Sequence, residues 1–209
     1  MVPTLIAFDF DKTLAYFAGT ERVEDLLVNL GFGDLEALNI YQQVKATGFS
    51  FGKIIDCVKE RMLRRNCPFD QSDQLDFAED LDFWLSTHLR LYEDAEDLLS
   101  WLDRWSTPWA IVTFGDKDYQ KQKIQQLHLK PMEICHTASI GAKTEPLLEL
   151  VAKYGRPIFF VDDNPEELQP VTGNRSGNIV PFLIDRCDRQ NPPKQFCVLS
   201  SLSEIKDFC

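Results

Sequence analysis

The chain is sparing with the residues that build zinc sites and disulfide frameworks. Its three histidines, His88, His128 and His136, are too scattered to share a ligand spacing. Its six cysteines form no C-x-x-C pair, so no zinc knuckle is expected and reduced thiols are. Basic residues number 22 against 33 acidic ones, a net charge of -11. A surface that anionic disfavours non-specific binding to nucleic acid or to an acidic membrane. No apolar run is long enough to span a bilayer, and no basic, apolar leader precedes the first apolar segment. No internal repeat or low-complexity tract stands out. The expectation is a soluble, cytoplasmic protein with no nucleic-acid and no membrane partner.

What is present is enough apolar sequence for a core. The chain has 209 residues, 44% of them hydrophobic, which suits one large domain or a core carrying a modest insert. Residues 4–9 form a short, wholly apolar segment, the pattern of a strand covered on both faces. Similar runs recur at Trp109–Val112, Ile158–Val161 and Phe182–Ile184. Helical patterns at 94–105, 117–128 and 145–154 separate them, and 201–208 reads as a final short helix. Strand, polar loop, helix, repeated, predicts an α/β fold with a doubly wound, Rossmann-like parallel sheet. Met132–Cys135 reads as an edge strand, and Pro181 marks 179–184 as another because proline lacks a ladder donor. Gln190–Lys194 reads as a loop.

Residues 17–90 break the alternation. Candidate helices at 21–30, 34–46, 51–65 and 71–90 are separated by Gly31–Asp34, Thr47–Ser50 and Asn66–Pro68. In the first break Asp34 reads as an N-cap. These helices predict a small all-helical insert, with a catalytic core made of 1–16 and 91–209.

The most informative stretch is Asp9-Phe10-Asp11-Lys12-Thr13-Leu14, directly after the first apolar run. Alternate side chains of a strand share a face, so Asp9 and Asp11 can point the same way. Two such anions repel unless a cation or a shared proton joins them. Asp162-Asp163 ends another apolar run and adds hard oxygen donors. Together with Asp9 they suit Mg²⁺, which takes a few carboxylates and keeps several waters. Phosphoryl transfer needs an in-line nucleophile, charge neutralisation and a proton for the leaving oxygen. Asp9 is placed to attack phosphorus, and Asp11 to protonate the leaving group and later to deprotonate water. The Thr113 hydroxyl, at the end of its strand, can bind a phosphoryl oxygen. Lys143 precedes the helix at Thr144-Glu145-Pro146, where a cation opposes the helix dipole. That misfit makes sense if its ammonium serves a phosphate and the aspartates.

These segments resemble the four motifs of the haloacid dehalogenase-like (HAD) superfamily of phosphohydrolases. Asp9–Leu14 resembles the first, Ile111-Val112-Thr113 the second, Lys143 the third and Phe160–Asp163 the fourth, in that order. The resemblance implies Asp9 as nucleophile, Asp11 as general acid/base, and Thr113 and Lys143 as phosphoryl ligands. It implies a metal held by Asp9, the backbone carbonyl of Asp11 and the Asp162–Asp163 pair. Asp162 would be the chief ligand there, with Asp163 holding a metal-bound water or orienting Lys143. It further implies that the insert at 17–90 is a cap that helps select substrates. Many members carry glycine where this chain has Lys12.

Other polar and aromatic residues read as structural. Asp116 and Asp118 suit a helix N-cap and first turn, and Asn164 a turn or cap. Phe49, Phe51, Phe83 and Trp84 suit the core of the insert. Arg61, Arg64 and Arg65 suit a solvated helix face, as do Glu79, Asp80 and Asp82. The expected function is Mg²⁺-dependent hydrolysis of a small phosphorylated metabolite through an aspartyl-phosphate. The alternatives are a phosphomutase or phosphotransferase, and a non-catalytic binding module that keeps the fold.

Overall fold

The structure is a computed structural model that describes residues 5–173, 177–187, 193 and 195–208. The chain divides into two compact units. The first, Met1–Tyr16 with Arg90–Phe114 and Leu129–Cys209, is an α/β layer structure. Its sheet contains β1 (Leu5–Phe8), β4 (Trp109–Phe114), β5 (Glu133–Thr137), β6 (Ile158–Asp162), β7 (Ile179–Ile184) and β8 (Cys197–Leu199). The order is β5-β4-β1-β6-β7-β8, and every adjacent pair is parallel. All four residues of β1 are buried, which is why that strand is continuously apolar.

The pleat sorts these side chains. Leu5, Ala7, Ala110, Val112, Ile158 and Phe160 share a core with α7 (Thr144–Tyr154) and α8 (Pro165–Thr172), through Leu147, Leu150, Leu168 and Val171. The alternate residues Phe8 and Trp109 meet edge to face, with ring centroids 6.3 Å apart. Helix α5 (Glu93–Arg104) buries Leu98 and Leu102 and packs against a closing 3-10 helix, Leu202–Phe208. The final helical stretch read from sequence is therefore present, but with the tighter turn.

Met132–Cys135 was expected at an edge, and β5 is an edge strand. The run containing Pro181 is not an edge, because β8 pairs beyond it. Proline is tolerated because β8 covers only Phe182–Ile184 and stops short of Pro181. Of the loop read at Gln190–Lys194, only Pro193 falls within the described residues.

The second unit comprises Phe17–Leu89 and Gly115–His128. It holds α1 (Val23–Asn29), α2 (Asp34–Ala46), α3 (Phe51–Arg64), α4 (Gln71–His88) and α6 (Lys117–Gln126). Its helix starts are chemically marked. Ser50 accepts from the Lys53 amide at 3.4 Å, and Asp70 accepts from the amides of Ser72 and Asp73. The N-cap of α2 is Gly33, not Asp34. Asp34 enters the first turn instead, where its charge still favours the dipole. Helix α6 joins this unit through Tyr119, whose ring lies 5.0 Å from those of both Phe49 and Phe51. Trp84 is buried, but Phe83 is 71% exposed and takes no part in the core.

Two short strands, β2 (Ala15–Phe17) and β3 (Leu89–Leu91), pair where the chain passes from one unit to the other and back. They bound the stretch that reads as helical throughout, and the helix read at 71–90 ends at His88, where β3 begins. Among the described residues, no helix is long and apolar enough to cross a membrane, and Cys57, Cys67, Cys135, Cys187 and Cys197 are unpaired. Cys209 lies outside the described residues.

Candidate active site

Register alone brings the first two carboxylates together. Phe8 is the partner of Val161, so the next residue on each strand, Asp9 and Asp162, are neighbours at the carboxyl ends of β1 and β6. The Asp9 amide donates to the Val161 carbonyl at 2.9 Å, carrying the pairing one step further. These strand ends flank the point where successive connections diverge to either side of β1, the usual binding edge of an open parallel sheet.

Lys143 occupies the N-cap position of α7. Its Nζ lies 2.6 Å from Asp9 Oδ1 and 2.7 Å from Asp162 Oδ2, and its side chain is 2% exposed. Burial alone would lower the lysine pKa, but the charges of Asp9 and Asp162 outweigh it and raise it. Lys143 is thus a fixed cation. Burial raises Asp9, and the Lys143 charge offsets only part of that. Asp162 is raised further, by burial and then by the neighbouring Asp9 charge. One ammonium facing two buried carboxylates leaves net negative charge, so the cluster favours an additional cation.

Oxygens of Asp9, Asp162 and Asp163 lie within 4.8 Å of one another, a separation that one ion can bridge. Asp162 Oδ1 also accepts from the Asn164 amide at 2.8 Å. Three carboxylates with hard oxygen atoms and no sulfur or imidazole fit a small divalent cation such as Mg²⁺. Among the described residues, the Asp11 carboxylate is not part of this acidic group.

Asp11 stands in a tight turn after β1. The Lys12 amide donates to the Ala15 carbonyl at 2.7 Å, and the amides of Leu14 and Ala15 donate to the Phe10 carbonyl at 3.0 Å each. Lys12 has φ of 62°, the left-handed region that glycine occupies without penalty. A lysine there costs about 1 kcal/mol. Thr113, near the end of β4, is 1% exposed, and among the described residues its Oγ1 has no hydrogen-bond partner. A buried hydroxyl in that state is prepared to bond a ligand oxygen.

Three residues to which the sequence reading gave no individual role support this arrangement. Thr13 is fully buried and its Oγ1 accepts from the Asp163 amide at 3.0 Å. Its position two residues after Asp11 was the available signal. Glu167, buried on α8, accepts from the Gly141 amide at 2.8 Å and so ties down the loop that leads to Lys143. Burial raises its pKa, and the Lys143 charge opposes that rise. Its acidic place just after Asn164-Pro165 is a generic first-turn signal. Arg186 donates to the Thr13 carbonyl at 2.8 Å, and nothing in the sequence marks it. Asp116 and Asn164 are N-caps as expected, accepting from the amides of Tyr119 and Glu166.

Comparison with known proteins bears on the family and the fold. A haloacid dehalogenase-like hydrolase family model matches residues 3–170. No curated protein matches the chain. Among solved structures, a HAD phosphatase from Thermococcus onnurineus is 17% identical with a TM-score of 0.61, covering 98% of this chain and 97% of that one. A predicted phosphoglycolate phosphatase from Haemophilus somnus is 18% identical with a TM-score of 0.56, at coverages of 98% and 97%. A candidate β-phosphoglucomutase from Thermotoga maritima is 11% identical with a TM-score of 0.61, also at 98% and 97%. These likenesses carry the fold, and the family model carries the membership. The chain belongs to the haloacid dehalogenase-like hydrolases.

Proposed function

We propose that this chain is a Mg²⁺-dependent phosphatase that hydrolyses a small phosphorylated metabolite through an aspartyl-phosphate on Asp9. The observation that carries this reading is the meeting of Asp9, Asp162 and Asp163 around one volume, with Lys143 bridging the first two. Asp9, Asp162 and Asp163, with the Asp11 carbonyl, would hold the ion. When bound, Mg²⁺ supplies positive charge that offsets the repulsion between nucleophile and phosphate. Asp9 Oδ attacks phosphorus, and the ester bond to the leaving oxygen breaks. Asp11 gives that oxygen a proton, then takes one from the water that cleaves the acyl phosphate. Thr113 Oγ1 donates to a phosphoryl oxygen. Lys143 neutralises charge and keeps Asp9 oriented. The helical unit is the element we assign to substrate selection.

The net charge of -11 supports a small-molecule substrate over nucleic acid, and the unpaired cysteines support a cytoplasmic location. The test is turnover of p-nitrophenyl phosphate with Mg²⁺, its loss on chelation, and its loss in Asp9→Asn with the fold retained. Full activity in Asp9→Asn would overturn the nucleophile assignment. The fold shared with a candidate β-phosphoglucomutase favours phosphotransfer as the second reading. Labelled water separates the two, because hydrolysis places solvent oxygen in the released phosphate and transfer does not.

A further inference from the structure

The turn that carries Asp11 is anchored from outside by bonds converging on the two residues after Lys12. Thr13 Oγ1 accepts from the Asp163 amide at 3.0 Å. The Thr13 carbonyl accepts from Arg186 Nη2 at 2.8 Å. The Leu14 carbonyl accepts from the Tyr92 amide at 3.0 Å. Of these donors Arg186 alone is a side chain, and it is itself tightly held. Its Nη1 lies 2.9 Å from Asp94 Oδ2, and its guanidinium stacks 3.9 Å from the centroid of the Tyr92 ring. Asp94 Oδ2 also accepts from the Leu202 amide at 2.8 Å. The Arg186 and Asp94 side chains are only 10% and 18% exposed.

We propose that Arg186 is a positioning residue for Asp11: gripping the Thr13 carbonyl two residues along, it fixes where the Asp11 carboxyl stands relative to Asp9. The proposal rests on Asp11 acting as the general acid. A guanidinium is a planar fork whose two prongs serve Asp94 and Thr13 at once, with Tyr92 fixing its plane. A lysine ammonium keeps the charge opposite Asp94 without that two-pronged geometry. Asp9 does not depend on this brace. Its position is set by β-sheet register, by the Val161 carbonyl and by Lys143. Loosening Thr13 therefore moves the acid while leaving the nucleophile in place.

That separation gives a signature that a purely structural staple lacks. An alkyl phosphate expels a strongly basic oxygen and needs a well-placed proton donor. p-Nitrophenyl phosphate expels a stable phenolate and needs it far less. The experiment measures kcat/KM for p-nitrophenyl phosphate and for glycerol 2-phosphate, at saturating Mg²⁺ so that any weaker hold on the ion through the Asp11 carbonyl is offset, in wild type, Arg186→Lys and Arg186→Gln. Misplacing a catalytic group by a fraction of an ångström to one ångström costs about tenfold to a hundredfold. The expected result is a loss of about tenfold or more in kcat/KM on the alkyl ester and under about threefold on the aryl ester, because kcat/KM reports only the half-reaction that expels the leaving group, while cleavage of the aspartyl-phosphate by water is common to both. In an Asp11→Asn background, adding Arg186→Lys produces no further loss on the alkyl ester. Equal losses on both esters, or none, would overturn the assignment. So would failure of Arg186→Lys to fold, because that variant keeps the charge pair with Asp94. If wild type hydrolyses no phosphate monoester, the phosphatase reading fails. The hold on the turn is then read by amide hydrogen exchange at Leu14 and Ala15. Exchange faster by about tenfold in Arg186→Lys is expected when the turn opens locally, and unchanged exchange would overturn the brace.

Discussion

Lys143 and Asp9 are 134 residues apart in sequence, and Lys143 Nζ lies 2.6 Å from Asp9 Oδ1. The same ammonium bridges to Asp162 at 2.7 Å, so it is the shared counter-ion of two buried carboxylates. Removing one partner of a buried pair leaves uncompensated charge. Lys143→Met is expected to cost about 3–5 kcal/mol of stability in the presence of a chelator. Added Mg²⁺ restores part of that loss, because a second cation replaces the missing ammonium. Urea unfolding of both proteins, with and without Mg²⁺, checks both parts. A variant as stable as wild type would show that the carboxylates are held neutral without the lysine.

Thr113 offers the opposite case, a site residue whose removal spares the fold. Among the described residues its buried Oγ1 has no partner, so Thr113→Val deletes an unsatisfied polar atom while keeping the shape of the side chain. The expected change in stability is within about 1 kcal/mol, of either sign. If the hydroxyl bonds a phosphoryl oxygen, kcat/KM for p-nitrophenyl phosphate falls by about tenfold, the worth of one hydrogen bond to a charged group. Thermal melts set beside steady-state kinetics separate the two effects. A large fall in melting temperature with unchanged kinetics would remove Thr113 from the site.

The parts of the fold most readable in the sequence are those in which one residue's chemistry decides the outcome. Continuous apolar runs mark β1, β4 and β6 because strands buried on both faces admit no polar residue. The carboxylates Asp9 and Asp162 mark the ends of two of them because buried charge is found where it can be paired. Helix starts at Asp116 and Asn164 follow from capping. What failed to show depends on contacts distant in sequence. Strand β8 has three residues and no alternation to betray it. Pro181 was misleading because its local rule, no ladder donor, holds only where a neighbouring strand is present to be offered one. Helix α6 follows β4 in the chain but groups with the helical unit, since Tyr119 finds its aromatic partners there. Phe83 has the composition of a core residue and a helix face that points to solvent.

The site divides in the same way. Asp9, Asp11, Thr113, Lys143, Asp162 and Asp163, the residues proposed for the site, are legible because each stands at or just beyond the carboxyl end of a strand or, for Lys143, at the N-cap of a helix. The supporting shell is not, because Thr13, Glu167 and Arg186 act through backbone atoms of other segments. A carbonyl or amide partner leaves no trace in the partner's side-chain identity, so no sequence pattern announces the pairing.

Asp94 provides a pH test of that hidden shell. Burial alone would raise its pKa. The hydrogen bond from Arg186, the Leu202 amide and the Arg186 charge together outweigh burial, and the net shift is downward from the ordinary value of 3.8. A carboxyl whose folded pKa is depressed adds stability above its unfolded pKa and loses it as pH falls through the folded value. The stability difference between wild type and Asp94→Asn should therefore be full at neutral pH, about 2 kcal/mol for hydrogen bonds to a charged group. It should hold down to about pH 5 and shrink as pH drops below 4, where the unfolded chain takes up protons first. Groups common to both proteins cancel in this difference, which isolates Asp94 from the acidic cluster around Asp9. Urea titrations from pH 7 to pH 3 in chelator, comparing the two proteins at each pH, give the curve. A difference that grows on acidification would mean that burial outweighs Arg186 and that the carboxyl is held protonated.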